Sequence, residues 1–150
     1  MRYVAQTWDN CGPASVVMVL STPWPRVPQE AARLGLRGPD INRGMPAQNV
    51  APWVGELYGL KALVRTNGSR DIVRRFVANG FPVIVTQRLQ DPPSRTAHHR
   101  VVRGYDDRTA TFLVNDPIRG AGVSLDTAGS TRTGRCSSRR IYAIVISSDR

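Results

Sequence analysis

Nucleophilic and basic side chains are rationed in this chain, which has two cysteines, Cys11 and Cys136, and two histidines, His98 and His99. A thiol becomes a useful nucleophile when a neighbouring base takes its proton, so four Cys–His pairs exhaust the combinations. Cys11 precedes Gly12-Pro13-Ala14 and the apolar run Ser15 to Leu20. Proline suits a first helical turn, where its missing N–H is not needed, so the pattern predicts a short helix starting near Cys11. At that position unpaired N–H groups and a partial positive charge favour thiolate over thiol and lower the pKa from ~8.5. Cys136 has no such setting and reads as a structural or incidental thiol. A Cys11–Cys136 bridge, closing a long loop, is the competing use of both sulfurs.

The histidines begin an apolar stretch, His98 to Tyr105, and a turn around Asp106-Asp107-Arg108 separates it from a second stretch, Thr111 to Asn115. The two should pair as an antiparallel hairpin. A turn centred near Asp107 puts His98 opposite residue 116 or 117, close enough for Asp116 to orient an imidazole and stabilise its cation. Asn115 is the nearby rival. Asp106 and Asp107 lie at the wrong end, roughly 25 Å from His98 at ~3.3 Å per residue. Successive strand side chains face opposite ways, so at most one of His98 and His99 is expected to point toward the cysteine, and spacing alone does not choose between them. Acyl transfer also needs a donor for the developing oxyanion. Gln6, five residues before Cys11, could supply its side-chain amide beside the Cys11 N–H.

The elements that must position these groups are helical first and strand-like second. After the Cys11 helix, Thr22-Pro23-Trp24-Pro25 is a stop, Gln29 to Leu34 suits a second short helix, and a Gly/Pro/Asn loop runs from Gly35 to Gly44. Val50, Trp53, Val54 and Leu57 form one apolar helical stripe. Leu60 to Arg65 suits a short strand and Asn67-Gly68 a turn. Ser69 can then N-cap a helix turning Ile72, Val73, Phe76 and Val77 inward, which Gly80 stops. Strands are expected at Phe81 to Thr86, His98 to Tyr105, Thr111 to Asn115 and Ile141 to Ile146, with Arg88 to Ala97 and Pro117 to Arg140 as polar loops.

Length and charge bound the rest. A chain of 150 residues fits a single domain, with a helical part over about 1–80 and a sheet part over about 81–150. The net charge of +10 is carried almost wholly by arginine, Lys61 being the one lysine. Such a field favours encounters with acidic partners, peptides included. The arginines are scattered, with only Arg74-Arg75 and Arg139-Arg140 adjacent, so no dedicated nucleic-acid surface is expected. The N-terminus lacks the apolar run of a signal peptide, and no run of ~18 apolar residues suggests a membrane span. As written the chain reads as cytoplasmic; an excised domain of a secreted or larger membrane protein would read the same. The Cys and His positions show none of the usual zinc spacings, and no metal or cofactor is expected.

These motifs carry a resemblance. Gln6-Thr7-Trp8-Asp9-Asn10-Cys11-Gly12-Pro13-Ala14-Ser15 resembles the nucleophile segment of the bacterial cysteine peptidases that process double-glycine bacteriocin leaders, a branch of the papain-like clan, and of their stand-alone relatives. His98 to Asp106 resembles their histidine strand, and Asp116-Pro117 their Asp-Pro ending. In that family the catalytic histidine stands six residues before the glycine of the Gly-Tyr-Asp turn, which selects His98 over His99. His99 stands where an aromatic or apolar residue is usual. The resemblance continues through Gly44 to Ala47, Tyr58-Gly59-Leu60 and Gly80 to Val85. It implies a papain-like α+β fold, a cleft between helical and sheet parts, and a peptidase with Cys11 as nucleophile, His98 as base, Asp116 as its orienter and Gln6 as oxyanion donor. Double-glycine specificity does not transfer with it, and the substrate stays open to any peptide or protein. The same groups could serve a deamidase, isopeptidase or acyltransferase. A catalytically idle peptide- or nucleic-acid-binding module is the alternative from another class.

Overall fold

The computed structural model describes residues 1–24, 26–40, 43–66, 68–88, 97–126 and 143–147. Cys136 and most of the expected 117–140 loop lie outside the described residues. In chain order the elements are α1 (Cys11–Leu20), α2 (Gln29–Arg37), a 3-10 turn (Ala47–Asn49), α3 (Val50–Tyr58), β1 (Lys61–Arg65), α4 (Arg70–Ala78), β2 (Val83–Arg88), β3 (Ala97–Asp106), β4 (Thr111–Asp116), β5 (Gly120–Asp126) and β6 (Ala143–Ser147). The fold is α+β, as expected. Its strands form one antiparallel sheet in the order β1-β6-β2-β3-β4-β5.

Alternation along the central strands sorts the helices into two layers. Ile84 and Val101 join the core of α1, α2 and α3, whereas Val83, Val85, Val102 and Val114 pack with Val73 of α4. The helical and sheet parts therefore do not divide near residue 80: β1 is an edge strand of the sheet, reached through β6. All ten residues of α1 are buried, which is why its sequence is apolar without a polar face. Among the described residues no helix is long and apolar enough to cross a membrane.

Several boundaries differ from expectation for identifiable reasons. Helix α2 runs through Gly35 to Arg37, because Gly35 is a packing position there and not a stop: a Cβ on it would lie 1.9 Å from Trp53 Nε1. The α3 stripe buries Val50, Trp53 and Val54 but leaves Leu57 exposed, and α4 buries Val73 while Ile72 faces solvent. Ser69 caps α4 as its position suggested, accepting from Ile72 N at 3.2 Å. Gly59 ends α3 with φ of 63°, its N–H on Gly55 O at 3.1 Å and that of Leu60 on Val54 O at 3.2 Å. Asn67, half of the expected turn before Ser69, lies outside the described residues. The stretch expected as loop after Pro117 contains β5, which pairs with β4.

Two helical glycines should respond oppositely to alanine. Gly35→Ala forces a methyl group into the Trp53 ring and should cost about 1–3 kcal/mol. At Gly55 the nearest group is the Leu60 carbonyl oxygen, 3.6 Å from an added Cβ, so Gly55→Ala should gain up to about 1 kcal/mol from helix propensity. Urea unfolding of both variants checks the pair.

Candidate active site

The segment before α1 is tied down from three directions. Gln29, the first residue of α2, accepts from Thr7 N at 2.8 Å and donates to Ala5 O at 2.8 Å. Gln6 N donates to Pro117 O at 3.0 Å, and the Tyr3 hydroxyl donates to Asp116 O at 3.2 Å, which stitches the segment to the end of β4. The third tie is the buried guanidinium of Arg37. It donates to Asn10 Oδ1, to Asp9 O at 2.6 Å and to Arg43 O at 2.7 Å. Asp9 holds a left-handed φ of 51°, the sharp turn that delivers Cys11 to the first position of α1.

That turn brings Cys11 against the start of β3. Cys11 is a free thiol, not bridged, and only 9% exposed. Its Sγ lies 3.6 Å from His99 Nδ1. Burial pushes the thiol pKa up, but hydrogen bonding from the His98 and His99 side chains and the His99 N–H outweighs it and brings the pKa down to about 6. Both histidines thus lower the thiol pKa, while the ring nitrogen in contact with Sγ among the described residues is that of His99.

His98 is 1% exposed and donates from Nε2 to Asp116 Oδ1 at 2.9 Å. Burial depresses its pKa, but the bonds to Asp116 and Cys11 prevail and the net shift is upward. Asp116 is equally enclosed. Burial alone would raise its pKa, yet the bonds from His98, the Ile118 N–H and Arg100 hold it well below the usual carboxylate range. Its Oδ1 also accepts from Ile118 N at 2.8 Å and Arg119 N at 3.1 Å, and its Oδ2 from Arg100 Nε at 2.6 Å.

The hairpin register differs from the count made on the turn. The turn lies between Asp106 and Thr111, later than a turn centred near Asp107, and an irregularity between Val102 and Gly104 takes back one residue of that displacement, so that continuing from Val101↔Asn115 sets Arg100, not His98, opposite Asp116. His98 is two residues along on the same face, a diagonal neighbour still within reach. The rival Asn115 points the other way and accepts from Gly122 N at 3.1 Å. Gln6 is half-buried, and its Oε1 is enclosed without a hydrogen-bond partner among the described residues. Sequence reasoning missed Arg100 and Arg37. Arg100 carried a signal, the period of two that puts it on the His98 face; nothing local marked Arg37. Asp106 caps its own hairpin turn through Arg108 N at 2.9 Å, and Asp107 pairs with Arg74.

Removing the guanidinium of Arg37 would strand Asn10 Oδ1 and two carbonyls that it now satisfies. Arg37→Ala should therefore cost about 2–3 kcal/mol in chemical unfolding, and the conservative Arg37→Lys should recover only part of it, since one ammonium cannot span the fork.

Comparison with known proteins follows the same lines. A model of the Peptidase_C39 like family matches residues 1–129. No curated protein matches. Among solved structures, the chain is similar to a double glycine motif protease from an AMS/PCAT transporter, solved in complex with the leader peptide. The identity is 23%, with 97% of this chain and 91% of that chain covered and a TM-score of 0.66. It is also similar to a protein described as a C39-like peptidase from Bacillus anthracis, at 13% identity, with 99% and 94% coverage and a TM-score of 0.74. At such identities these likenesses speak for the fold. With the family match running from the first residue past Asp116, the chain belongs to the Peptidase_C39 like family.

Proposed function

We propose that this protein is a cysteine peptidase that cleaves peptide bonds through Cys11, His98 and Asp116, with Gln6 assisting. The observation that carries the reading is a buried thiol at a helix N-terminus against the His98-His99 pair, with His99 Nδ1 3.6 Å from its sulfur and His98 held by the buried Asp116 carboxylate. Family and fold support peptidase chemistry in general. The solved relative bound to a leader peptide supports a peptide as the substrate class.

In this reading the Cys11 proton resides on His98, and the thiolate attacks the scissile carbonyl carbon. The carbonyl oxygen becomes an oxyanion facing the Cys11 N–H and the Gln6 amide. As the C–N bond breaks, His98 passes its proton to the departing amine, leaving a thioester on Cys11. Neutral His98 then takes a proton from water, hydroxide adds to the thioester, and collapse releases the acid and the thiolate with His98 again protonated. Asp116 keeps Nε2–H of His98 pointed away from the sulfur, so that the other ring nitrogen handles these transfers.

The pH window follows from the signs of the shifts. Thiolate forms as pH rises through about 6, whereas the proton on His98 is retained above its ordinary range because that pKa is raised. Peptide release should therefore climb through about pH 6, level off, and fall once His98 loses its proton. Incubation with a mixed peptide library, read by mass spectrometry, tests the assignment. Wild type should release fragments with free carboxyl termini. Cys11→Ala should release none, His98→Ala and Asp116→Asn should be slowed at least tenfold, and Gln6→Ala by about a hundredfold. Release unchanged in Cys11→Ala would end the proposal. Deamidated or amine-ligated products without cleavage would replace hydrolysis with a different acyl transfer.

A further inference from the structure

The mechanism above uses one of the two imidazoles that meet the sulfur. The other is not incidental surface: His99 is 6% exposed, and its Nδ1 lies 3.6 Å from Cys11 Sγ. A nitrogen directed at a thiolate must carry the hydrogen, so His99 donates from Nδ1. Its side chain leaves β3 on the face of Val101 and α1, whereas that of His98 leaves on the face of Val102, Arg100 and Asp116.

We propose that His99 is a second thiolate-holding residue, donating to the Cys11 sulfur from the side of the sheet opposite His98. The inference deepens the reading of Cys11 as the nucleophile and rests on it. The groups around the sulfur divide the work. From α1 there is Cys11 itself. On β3, His98 is bonded to Asp116 of β4, and Arg100 bonds the same carboxylate. On β2, the residue registered opposite His99 is the uncharged Thr86. His99 is thus the one imidazole at the sulfur that does not share its ring with the Asp116 carboxylate among the described residues. His98 must leave the sulfur to deliver its proton to the departing amine, while His99 can stay. A second donor that stays beside the sulfur while His98 turns to the departing amine is in place to receive the thiolate when the thioester collapses.

The test reads the sulfur directly. Iodoacetamide alkylation of Cys11, followed by peptide mass against pH, gives the thiolate midpoint without depending on peptide hydrolysis. His99→Asn sets an amide nitrogen where Nδ1 is, and should keep the midpoint within about half a pH unit of wild type. His99→Gln, whose nitrogen reaches to where Nε2 is, and His99→Phe, which has no donor, should each raise it by about one unit, a tenfold fall in thiolate at low pH. In turnover, His99→Phe should lose kcat mainly below its new midpoint, with KM little changed. Equal midpoints in wild type, His99→Gln and His99→Phe would overturn the proposal, and so would a His99→Asn midpoint displaced as far as that of His99→Gln. Should His99→Phe not fold, the Asn and Gln variants still decide. Wild type that is alkylated near pH 6 but releases no peptide would remove the peptidase reading and leave the role of His99 to be judged on the midpoints.

Discussion

The site depends on one docking constraint: the first residue of a helix with no free face must meet the first residues of a central strand. Helix α1 is buried on every side, so it cannot slide or roll without opening the core that it shares with α2, α3, Ile84 and Val101. Gly12 tightens the fit, since a Cβ there would lie 2.8 Å from the Met45 side chain. A well-packed interior tolerates few alternative positions, and the sulfur inherits that precision. Placement of Cys11 is therefore a consequence of packing at residues that take no part in chemistry.

Charge in the site is arranged around Asp116. This carboxylate is removed from water but receives hydrogen bonds from two turn N–H groups, from His98 and from Arg100. A buried carboxylate so supplied stays ionised and supports a cationic imidazole, which in turn supports the thiolate. Arg100 neutralises part of the same charge and limits how strongly Asp116 can hold the His98 proton. Because the folded-state pKa of Asp116 is depressed, its contribution to stability is present above the ordinary carboxylate value and is lost as pH falls toward the folded one. The site and the hairpin that carries it should thus loosen together in acid.

Some of this was written in local chemistry and some was not. Gly12-Pro13 marked the start of α1, Ser69 the start of α4, and the Asp106-Asp107 turn the hairpin, because each depends on interactions within a few residues. The pairing of Asp116 with His98 was legible for the same reason, though its register was not: the turn falls between Asp106 and Thr111, later than Asp107, and the irregularity at Val102–Gly104 makes up only one residue of the difference. Strand β5 was hidden by Gly120 and Gly122, which weaken strand propensity; the edge of β4 supplies the ladder they could not advertise. Gly35 read as a helix stop because its partner, Trp53, is distant in sequence. That both His98 and His99 lower the Cys11 pKa was not legible from strand alternation, which sends the two side chains to opposite faces, and spacing did not mark His99 as the one in contact with the sulfur. Tertiary contact, not propensity, decides each of these cases.

The central claim is an ionised sulfur sustained by imidazole at mild acidity. An ultraviolet difference titration of thiolate absorbance between wild type and Cys11→Ser isolates that one group and cancels Cys136. The account requires a midpoint near 6, displaced upward when His98 is replaced by alanine. A midpoint near the ~8.5 of an ordinary cysteine, indifferent to His98, would contradict it.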